Sequence, residues 1–569
     1  IWLNNKIIKN QLYKIPCSLL SNLYLKVQCV PFNNIPFNFS LVNHNPPIAD
    51  LLDCIDSSER THELFARLIK NNTEQRGILY TSKADIVGFK NPEELAEKYN
   101  NVLYHRHQYA RIEIFKNHFY IKEYDENVYE IIYKLKKYAE SGIKNYTHSV
   151  DLWMKNSGLI IDCDEKKNAL RNLFKNSKVA FIYGAAGTGK STMINYISSL
   201  FKDKQKIFLA NTNPAVENLR RKVTAEHAEF VTITKFLSKD VSNDCDILCL
   251  DECSTISNRD MVRVLQRAQC KLLVLVGDIY QIESILFGNW FNIAYKVMPK
   301  DSVAELTRPH RTTVQGLIEV WNKVREITED RLEFITRNGL SSTLDESIFS
   351  RTEEDEIVLC LNYDGIYGIN NINKFLQSNN VNPSINWGVL SYKVGDPVLF
   401  NESNRFAPLV YNNLKGKILQ IEEEEDCIYF TIEVYTVLNE LDVIGFDLEL
   451  KESVTDETSV IRFKVGRGGD GNDDNDNVEN VVPFQVAYAI SIHKAQGLEY
   501  ESVKVVITSE IEEMVSHNIF YTAITRAKSK LKIYWSPETE KRILENMKVQ
   551  FNDKDYQLFK AKYKEALLK

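Results

Sequence analysis

Long apolar runs are missing from this sequence of 569 residues. A helix that crosses a membrane needs about 18 or more consecutive apolar residues, and no run approaches that length. The sequence therefore predicts no membrane partner. The chain opens with Ile1 rather than methionine, so a signal peptide removed upstream stays an open alternative.

Cysteine pairs with metal-ligand spacing are missing as well. None of the ten cysteines forms a C-x-x-C pair or a Cys/His zinc spacing, which predicts neither zinc nor an iron–sulfur cluster. Cys245, Cys249 and Cys253 recur every four residues. Because no fourth ligand follows nearby, we expect them to pack as small apolar groups rather than to hold a cluster. A reduced, cytoplasmic setting is the default.

An excess of positive charge is also missing, since the formal net charge is −7. Two acidic segments account for that sign. Residues 422–426 are all acidic, and residues 466–480 contain five acids and one arginine. Without them the balance turns slightly positive, so the net charge does not exclude a local basic surface for nucleic acid. The second segment is rich in glycine, aspartate and asparagine and predicts a mobile loop.

Recognisable motifs are absent from residues 1–150, which we predict to form an α+β accessory region of unknown role. Residues 59–70 predict an amphipathic helix. Residues 104–111 are basic and aromatic. They are either a nucleic-acid contact, with arginines on phosphates and tyrosines stacked on bases, or the polar face of an ordinary sheet. The histidines and acids of this region lack metal-site spacing, so no nuclease site is predicted.

A strand, a glycine loop and a helix follow one another at residues 179–201. The loop at 184–191 reads GAAGTGKS and fits G-x-x-x-x-G-K-[ST] at every fixed position. Its glycines let backbone N–H groups turn toward phosphate oxygens, and the helix N-terminus adds a positive dipole end. Lys190 is expected to reach the β- and γ-phosphates, and Ser191 to ligate Mg²⁺. The predicted nucleotide-binding residues of this site are Gly184, Gly187, Thr188, Gly189, Lys190, Ser191 and Thr192.

Two later strands also end in polar side chains. Residues 247–250 run into Asp251 and Glu252, and residues 273–276 run into a segment that ends at Gln281. In an open α/β sheet, ligands bind at the carboxyl ends of the strands. Asp251 is expected to hold Mg²⁺, directly or through water. Glu252 is expected to orient or deprotonate the water that attacks the triphosphate.

Apolar strands alternate with helical stretches after the glycine loop, which predicts a doubly wound α/β domain. From residue 392 to about residue 463 the chain is rich in strands and turns. This pattern predicts a small β-barrel inserted in a second domain. The tail from residue 538 is predicted to be helical and charged.

Six segments, taken in order, are similar to the motifs of superfamily 1 helicases of the RecD-like branch. The resemblance covers about residues 159–535. The two most distinctive segments read AYAISIHKAQGLE at 487–499 and YTAITRA at 521–527. The other four segments are residues 184–191, 210–216, 251–254 and 277–281. The turns at 394–398 and 411–416 also resemble the barrel that is inserted in that branch.

The resemblance implies an α/β fold of two RecA-like P-loop domains with parallel sheets. Its predicted boundaries are an accessory region at 1–150, a first RecA-like domain at 151–312, a second at 313–391 and 485–538, a barrel-like insertion at 392–484, and a helical tail at 539–569.

The resemblance also implies roles for individual residues. Gln281 would sense the γ-phosphate, and Arg526 and Arg311 would be arginine fingers, with Arg308 the less favoured alternative to Arg311. In the second domain, Gly497 would let the backbone pass close to the nucleotide and Glu499 would approach the ribose. The residues expected to face single-stranded DNA are Thr212, Asn213, Ser491 and His493, although His493 could instead make a hydrogen bond between the domains.

Two departures from the family pattern stand out. The family has a glutamine that reads adenine where this chain has Lys166, and a lysine cannot present the paired donor and acceptor of an amide. Selectivity for ATP over other triphosphates is therefore an open question. Residues 282–285 read IESI where many relatives have Leu-Pro-Pro, so coupling to the nucleic-acid strand is expected to differ there.

These observations, together with the resemblance, predict an ATP- and Mg²⁺-dependent motor on single-stranded DNA. The resemblance implies movement from 5′ to 3′ and a role in DNA repair, recombination or anti-phage defence. An alternative from another class is an ATP-gated DNA-binding switch or signalling subunit that does not unwind processively. A third alternative is an RNA helicase of the same superfamily, which matched DNA and RNA strands would distinguish. Further subunits or domains that precede Ile1 are possible partners.

Overall fold

The computed structural model describes most of the chain beyond residue 60. The described residues are 14–17, 23–26, 61–103, 105–185, 187–238, 243–281, 287–308, 312–388, 390–401, 405–407, 409–453, 455–467, 480–547 and 553–564. Three predictions fall on other residues: Arg311 as an arginine finger, the departure at 282–285, and the mobile loop, of which 468–479 lies outside the described part.

The N-terminal region combines helices with a three-stranded antiparallel sheet in the order β3-β5-β4. The helix predicted over 59–70 is observed at Thr61–Arg76. The basic, aromatic stretch forms a 3₁₀ turn over His105–Ala110, with Tyr104 outside the described residues. The elements are β1 (Lys14–Cys17), β2 (Leu23–Lys26), α1 (Thr61–Arg76), β3 (Thr81–Ser82), α2 (Pro92–Val102), β4 (Ile112–Phe115), β5 (His118–Ile121), α3 (Lys122–Ala139) and α4 (Tyr146–Asn156).

The first large sheet has six parallel strands in the order β11-β6-β10-β9-β7-β8. Every residue of β6 is buried, as a central strand with helices on both faces requires. The strands are β6 (Val179–Gly184), β7 (Lys206–Ala210), β8 (Ala228–Thr232), β9 (Asp244–Leu250), β10 (Gln269–Gly277) and β11 (Val303–Leu306). The helices are α5 (Asp164–Asn172), α6 (Lys190–Leu200), α7 (Asn213–Lys222), α8 (Ile233–Leu237), α9 (Asn258–Arg267) and α10 (Trp290–Val297).

The second large sheet has five parallel strands in the order β12-β24-β23-β13-β22. It has a separate apolar core, to which helices α11 and α14 contribute. The elements are α11 (Gln315–Glu326), α12 (Arg331–Arg337), β12 (Ser341–Ser342), β13 (Glu356–Cys360), α13 (Ile369–Ser378), β22 (Ala489–Ser491), β23 (Tyr500–Val506), α14 (His517–Ile524), β24 (Ala527–Tyr534) and α15 (Pro537–Asn546). Two parallel sheets confirm the predicted fold class.

An antiparallel sheet is inserted between β13 and β22. Its six strands pair in the order β19-β20-β18-β17-β16-β21, and its inner face has its own apolar core. The structure shows the insertion as an antiparallel sheet, and among the described residues no ladder joins β19 to β21. The barrel-like form of this domain stays a prediction. The strands of this part are β14 (Ser384–Trp387), β15 (Leu390–Lys393), β16 (Pro397–Phe400), β17 (Lys415–Glu423), β18 (Cys427–Val434), β19 (Glu449–Lys451), β20 (Ser459–Gly466) and β21 (Phe484–Val486).

The last described helix, α16 (Asp553–Lys562), returns to the N-terminal region. The carboxylate of Asp555 accepts hydrogen bonds from the backbone N–H groups of Leu79 (2.7 Å) and Tyr80 (3.0 Å). Nearby, the carboxylate of buried Asp125 accepts from Lys562 Nζ at 2.6 Å. The hydroxyls of Tyr80 and Tyr563 also donate to Asp125. We call Tyr80, Asp125, Asp555, Lys562 and Tyr563 the terminal clasp.

No helix in the described part of the chain has both the length and the apolar character that spanning a membrane requires.

Candidate functional site

The glycine loop lies between β6 and α6, where the sequence predicts it. Gly187 and Gly189 have φ angles of +78° and +86°, values that glycine adopts without steric cost. Two glycines of the loop also leave no room for a side chain. A Cβ on Gly189 would stand 2.5 Å from Lys166 Nζ, and one on Gly184 would stand 2.5 Å from Thr188 Oγ1. The loop therefore requires glycine at both ends.

Lys190 begins α6 and reaches back over the loop. Its ammonium group donates hydrogen bonds to the carbonyls of Gly184 (2.8 Å) and Ala185 (3.0 Å). The Thr188 hydroxyl donates to the Ala185 carbonyl at 2.9 Å and closes the turn. Ser191 and Thr192 follow in the first turn of α6 and are both half-buried. This places a cation and two hydroxyl-bearing residues at a helix N-terminus, which is a favourable position for phosphate oxygens.

Asp251 and Glu252 leave the carboxyl end of β9. Glu252 has a φ of +52°, a left-handed conformation that is unusual outside glycine. Its backbone N–H donates to Asp251 Oδ1 at 2.9 Å, which ties the two acids together. Burial raises the pKa of Asp251. Burial, followed by the neighbouring Asp251 charge, raises the pKa of Glu252 to about 7.

The carboxyl end of β10 brings Gly277, Asp278 and Gln281 to the same edge of the sheet. Asp278 is buried, and its Oδ1 accepts a hydrogen bond from the Tyr280 N–H at 3.0 Å. Its other oxygen, Oδ2, has no hydrogen-bond partner among the described residues. The same holds for Glu252 Oε2. Two buried carboxylate oxygens without a donor favour a site that receives cationic or hydrogen-bonding groups from a ligand.

A cavity of about 80 Å³ joins these groups to the second domain. Predicted residues from both large sheets line it together. From the first domain these are Lys190, Ser191, Asp251, Glu252 and Gln281, and from the second domain they are Gly497, Glu499 and Arg526. The first set carries the predicted phosphate and metal contacts, and the second set closes the cavity from the opposite side.

Arg526 is buried, directly precedes β24 and lines the cavity. Its Nε donates to the Thr522 carbonyl at 3.0 Å, and its Nη1 donates to the Leu498 carbonyl at 3.3 Å. Its positive charge opposes the rise in the pKa of Glu252, which burial and Asp251 cause. Arg526 therefore acts electrostatically across the cleft. Arg308 is exposed at the end of the first domain, and Arg311 lies outside the described residues.

Three residues with polar side chains to which the sequence reasoning gave no role also line the cavity: Asn218, Lys222 and Asp278. Asn218 Nδ2 donates to the Gly497 carbonyl at 2.7 Å, and Lys222 Nζ lies 3.9 Å from Glu499 Oε1. Asn218 and Lys222 are four apart on α7 and therefore share a face. Their position on one helix face, directly after the motif at 210–216, is the sequence signal that could have identified them as site residues. These contacts join the two domains across the cleft.

The four residues predicted to face DNA lie apart from the cavity lining. Thr212 precedes α7, and its hydroxyl accepts from the Ala215 N–H at 3.4 Å as a helix cap. Asn213 is exposed at the start of that helix. Ser491 ends β22 and accepts from the Lys494 N–H at 3.2 Å, and His493 is exposed just after it. All four lie at or just beyond the carboxyl ends of parallel strands.

Lys166, the departure from the family pattern, is buried in α5 beside the glycine loop. It is 1% exposed, and its Nζ lies 2.5 Å from Asp162 Oδ2. The lysine charge is therefore paired rather than directed outward.

The fit of Mg²⁺ and ATP can be judged from the donor set. Ser191 and Asp251 supply the hydroxyl and carboxylate oxygens that Mg²⁺ prefers, and the glycine loop has room for phosphate oxygens and not for a side chain. These residues fit the predicted cofactors. Within the described residues, no group of three or more His, Cys, Asp or Glu side chains forms a metal site. Cys249 and Cys253 are buried in the first domain's core.

Comparisons with known proteins bear on both halves of the cleft. Residues 163–345 match the AAA domain family, and residues 486–534 match the UvrD-like helicase C-terminal domain. The order of the two matches, with an insertion between them, is the order of the two parallel sheets. The chain is similar to the RecD/Pif1-like helicases of superfamily 1.

Relatives of this RecD/Pif1-like chain are distant. An uncharacterised protein of Methanocaldococcus jannaschii is 24% identical over 65% of this chain, and the match spans 37% of that protein. The RecBCD enzyme subunit RecD of Buchnera aphidicola is 23% identical over 68% of this chain and 78% of its own length. The ATP-dependent DNA helicase Pif1 of Campylobacter jejuni is 23% identical over 62% of this chain and 88% of its own length.

Proposed function

We propose that this RecD/Pif1-like chain is an ATP-dependent DNA helicase or translocase that moves 5′ to 3′ on single-stranded DNA. The observation that carries the proposal is the cavity where Lys190, Glu252 and Arg526 meet across two parallel sheets. A phosphate loop on one domain and an arginine on the other make hydrolysis depend on closure of the cleft. The name of the Pif1 relative supports DNA as the substrate.

The roles of the residues follow from their positions. Ser191 and Asp251 would hold Mg²⁺, which supplies charge neutralisation at the phosphates when bound. Glu252 Oε2 would accept a proton from the attacking water, and a pKa of about 7 suits a base that works near neutral pH. Lys190, Gln281 and Arg526 would stabilise the charge that develops on the transferred phosphoryl group, with Arg311 as a second finger.

Movement along DNA would result if the two domains hold the strand in turn as the cleft closes and opens. Thr212 and Asn213 on the first domain and Ser491 and His493 on the second are proposed to contact the strand. Because Asn218 and Lys222 link the two domains at the cleft, a change at the nucleotide alters the distance between these contacts. The RecD relatives are named as subunits of RecBCD, which supports a further proposal that this chain also works with partner subunits.

ATP hydrolysis with and without single-stranded DNA tests the proposal, with Glu252→Gln beside the wild type. We expect strong stimulation by DNA, and a loss of about 100-fold or more in kcat for the variant. Glu226→Gln is the matched control, because Glu226 lies in an exposed pair with Lys202 at 2.9 Å. Hydrolysis indifferent to DNA would contradict a motor and favour the ATP-gated switch. Duplexes with a 5′ or 3′ tail then test the direction.

A further inference from the structure

Arg325 of the second domain reaches across to the first. It lies on α11, whose apolar face belongs to the second domain's core. Its Nη2 is 3.4 Å from Glu305 Oε1 on β11, and its guanidinium carbon is 4.7 Å from the centre of the Tyr280 ring. Arg325 is 9% exposed. One second-domain cation is therefore buried against the segment that ends at Gln281.

Tyr280 is held from the second domain on another side as well. The His517 and Tyr521 rings of α14 lie 6.1 Å and 6.4 Å from the Tyr280 ring, at steep angles. His517 Nε2 is 2.8 Å from the Val324 carbonyl, which fixes α14 against the turn of helix that carries Arg325. The residue beside Gln281 is thus packed in a socket formed by the other domain.

The charges in this socket are incompletely paired. Arg325 Nε and Asp278 Oδ2 are both buried and have no hydrogen-bond partner among the described residues. Burial alone would lower the pKa of the Arg325 guanidinium. Neighbouring negative charges, of which Asp278 is the largest, outweigh burial and raise this pKa above its ordinary value. A guanidinium has five N–H donors. Arg325 therefore has N–H donors left for Asp278 besides the one directed at Glu305.

We propose that Arg325 is a positioning residue that couples cleft closure to the placement of Gln281, by exchanging exposed Glu305 for buried Asp278 when nucleotide is bound. Tyr280 and Gln281 follow Asp278 directly, and the Gln281 N–H donates to the Asp278 carbonyl at 3.3 Å. A new bond from Arg325 to Asp278 would fix this turn and Gln281 with it. The inference rests on the proposed ATPase function.

Arg325→Gln tests the inference, with Lys323→Gln as the matched control. Lys323 is on the same helix, but its partners Asp330 (2.5 Å) and Glu319 (3.6 Å) belong to the second domain. We expect Arg325→Gln to lower the DNA-stimulated kcat about tenfold, a typical size for coupling between sites, with KM for ATP within about twofold. Arg325→Lys should restore little of the lost kcat, because lysine lacks the planar guanidinium that can bond to two carboxylates at once. Lys323→Gln should match the wild type.

Glu305→Gln provides a second test that does not depend on a buried residue. The Glu305 side chain is 45% exposed, so folding should be unaffected. Freed from Glu305, Arg325 should engage Asp278 more often and raise hydrolysis in the absence of DNA about threefold. Unchanged hydrolysis in both Glu305→Gln and Arg325→Gln would overturn the inference. A wild type without ATP hydrolysis would overturn the proposed function instead, so the two failures are distinguishable.

Discussion

Two buried polar clusters of this molecule are built in opposite ways. In the terminal clasp, Asp555 receives two backbone N–H groups, and Asp125 receives an ammonium group and two hydroxyls. In the cleft, Glu252 and Asp278 each keep one buried oxygen without a partner among the described residues. The first cluster is complete within the chain, and the second has capacity left for a ligand.

This difference distinguishes buried carboxylates that stabilise the fold from buried carboxylates that serve the functional site. A buried carboxylate with all its donors stabilises the fold, and its removal leaves those donors unpaired. A buried carboxylate with an empty position costs stability and is retained for what it binds. Substitutions in the clasp should therefore lower stability and leave ATP turnover intact. Substitutions in the cleft should lower ATP turnover and leave stability nearly unchanged.

The largest effect is expected for Lys190→Ala. Loss of the cation at the phosphate loop should reduce ATP turnover about 100-fold or more. The thermal midpoint should stay within a few degrees, because Lys190 is half-buried and donates hydrogen bonds to the Gly184 and Ala185 carbonyls of its own loop. Steady-state hydrolysis and thermal denaturation measure both. Lys167→Ala is the control, since Lys167 is exposed in α5 and pairs with Asp164 at 3.0 Å; comparable turnover in the two variants would contradict the assignment.

A smaller effect, on stability alone, is expected for Asp125→Ala. Three donors lose their acceptor, so we expect a loss of about 3 kcal/mol in the free energy of unfolding of the N-terminal region. Hydrogen exchange of the amides of Leu79 and Tyr80 measures this locally. Asp553→Ala, on α16 and paired with Lys296 at the surface, should change stability by less than about 1 kcal/mol. Equal losses in both variants would show that the clasp is no different from a surface pair.

The smallest effect is expected for Lys166→Gln. An amide presents a donor and an acceptor where the lysine presents donors alone, so we expect the preference for ATP over GTP in kcat/KM to rise about fivefold, the worth of one hydrogen bond. Measuring kcat/KM for both nucleotides checks it. Lys167→Gln next to it is the control. An unchanged ratio would mean that the paired Lys166 and Asp162 do not contact the base.

The sequence was informative wherever function is encoded in adjacent residues. The loop at 184–191, the acids Asp251 and Glu252, and Gln281 were all predicted from short segments, and the fold class is confirmed. Parallel strands deliver their carboxyl ends to a common edge, so segments far apart in the chain could be placed in one cleft. The individual roles of these residues stay predictions until the variants are measured.

Contacts between distant residues could not be predicted in the same way. Asp555 carries no local pattern that distinguishes it from other acids of a charged helix, and its partners lie more than 470 residues earlier. Arg325 is likewise an ordinary arginine near the end of an amphipathic helix, and its role depends on which face of the other domain it meets. The barrel-like form of the inserted sheet also stays a prediction, because strand alternation indicates neighbouring strands and not whether the sheet closes on itself.

The terminal clasp has a consequence for how the protein is made. The N–H of Tyr80 finds its acceptor on a residue 475 positions later. At about 5–20 residues per second, the ribosome needs on the order of a minute to supply it. Until then the N–H groups of Leu79 and Tyr80 lack this acceptor, although the phosphate loop and the first sheet are synthesised earlier. We expect the N-terminal region of the growing chain to need protection until helix α16 has been synthesised.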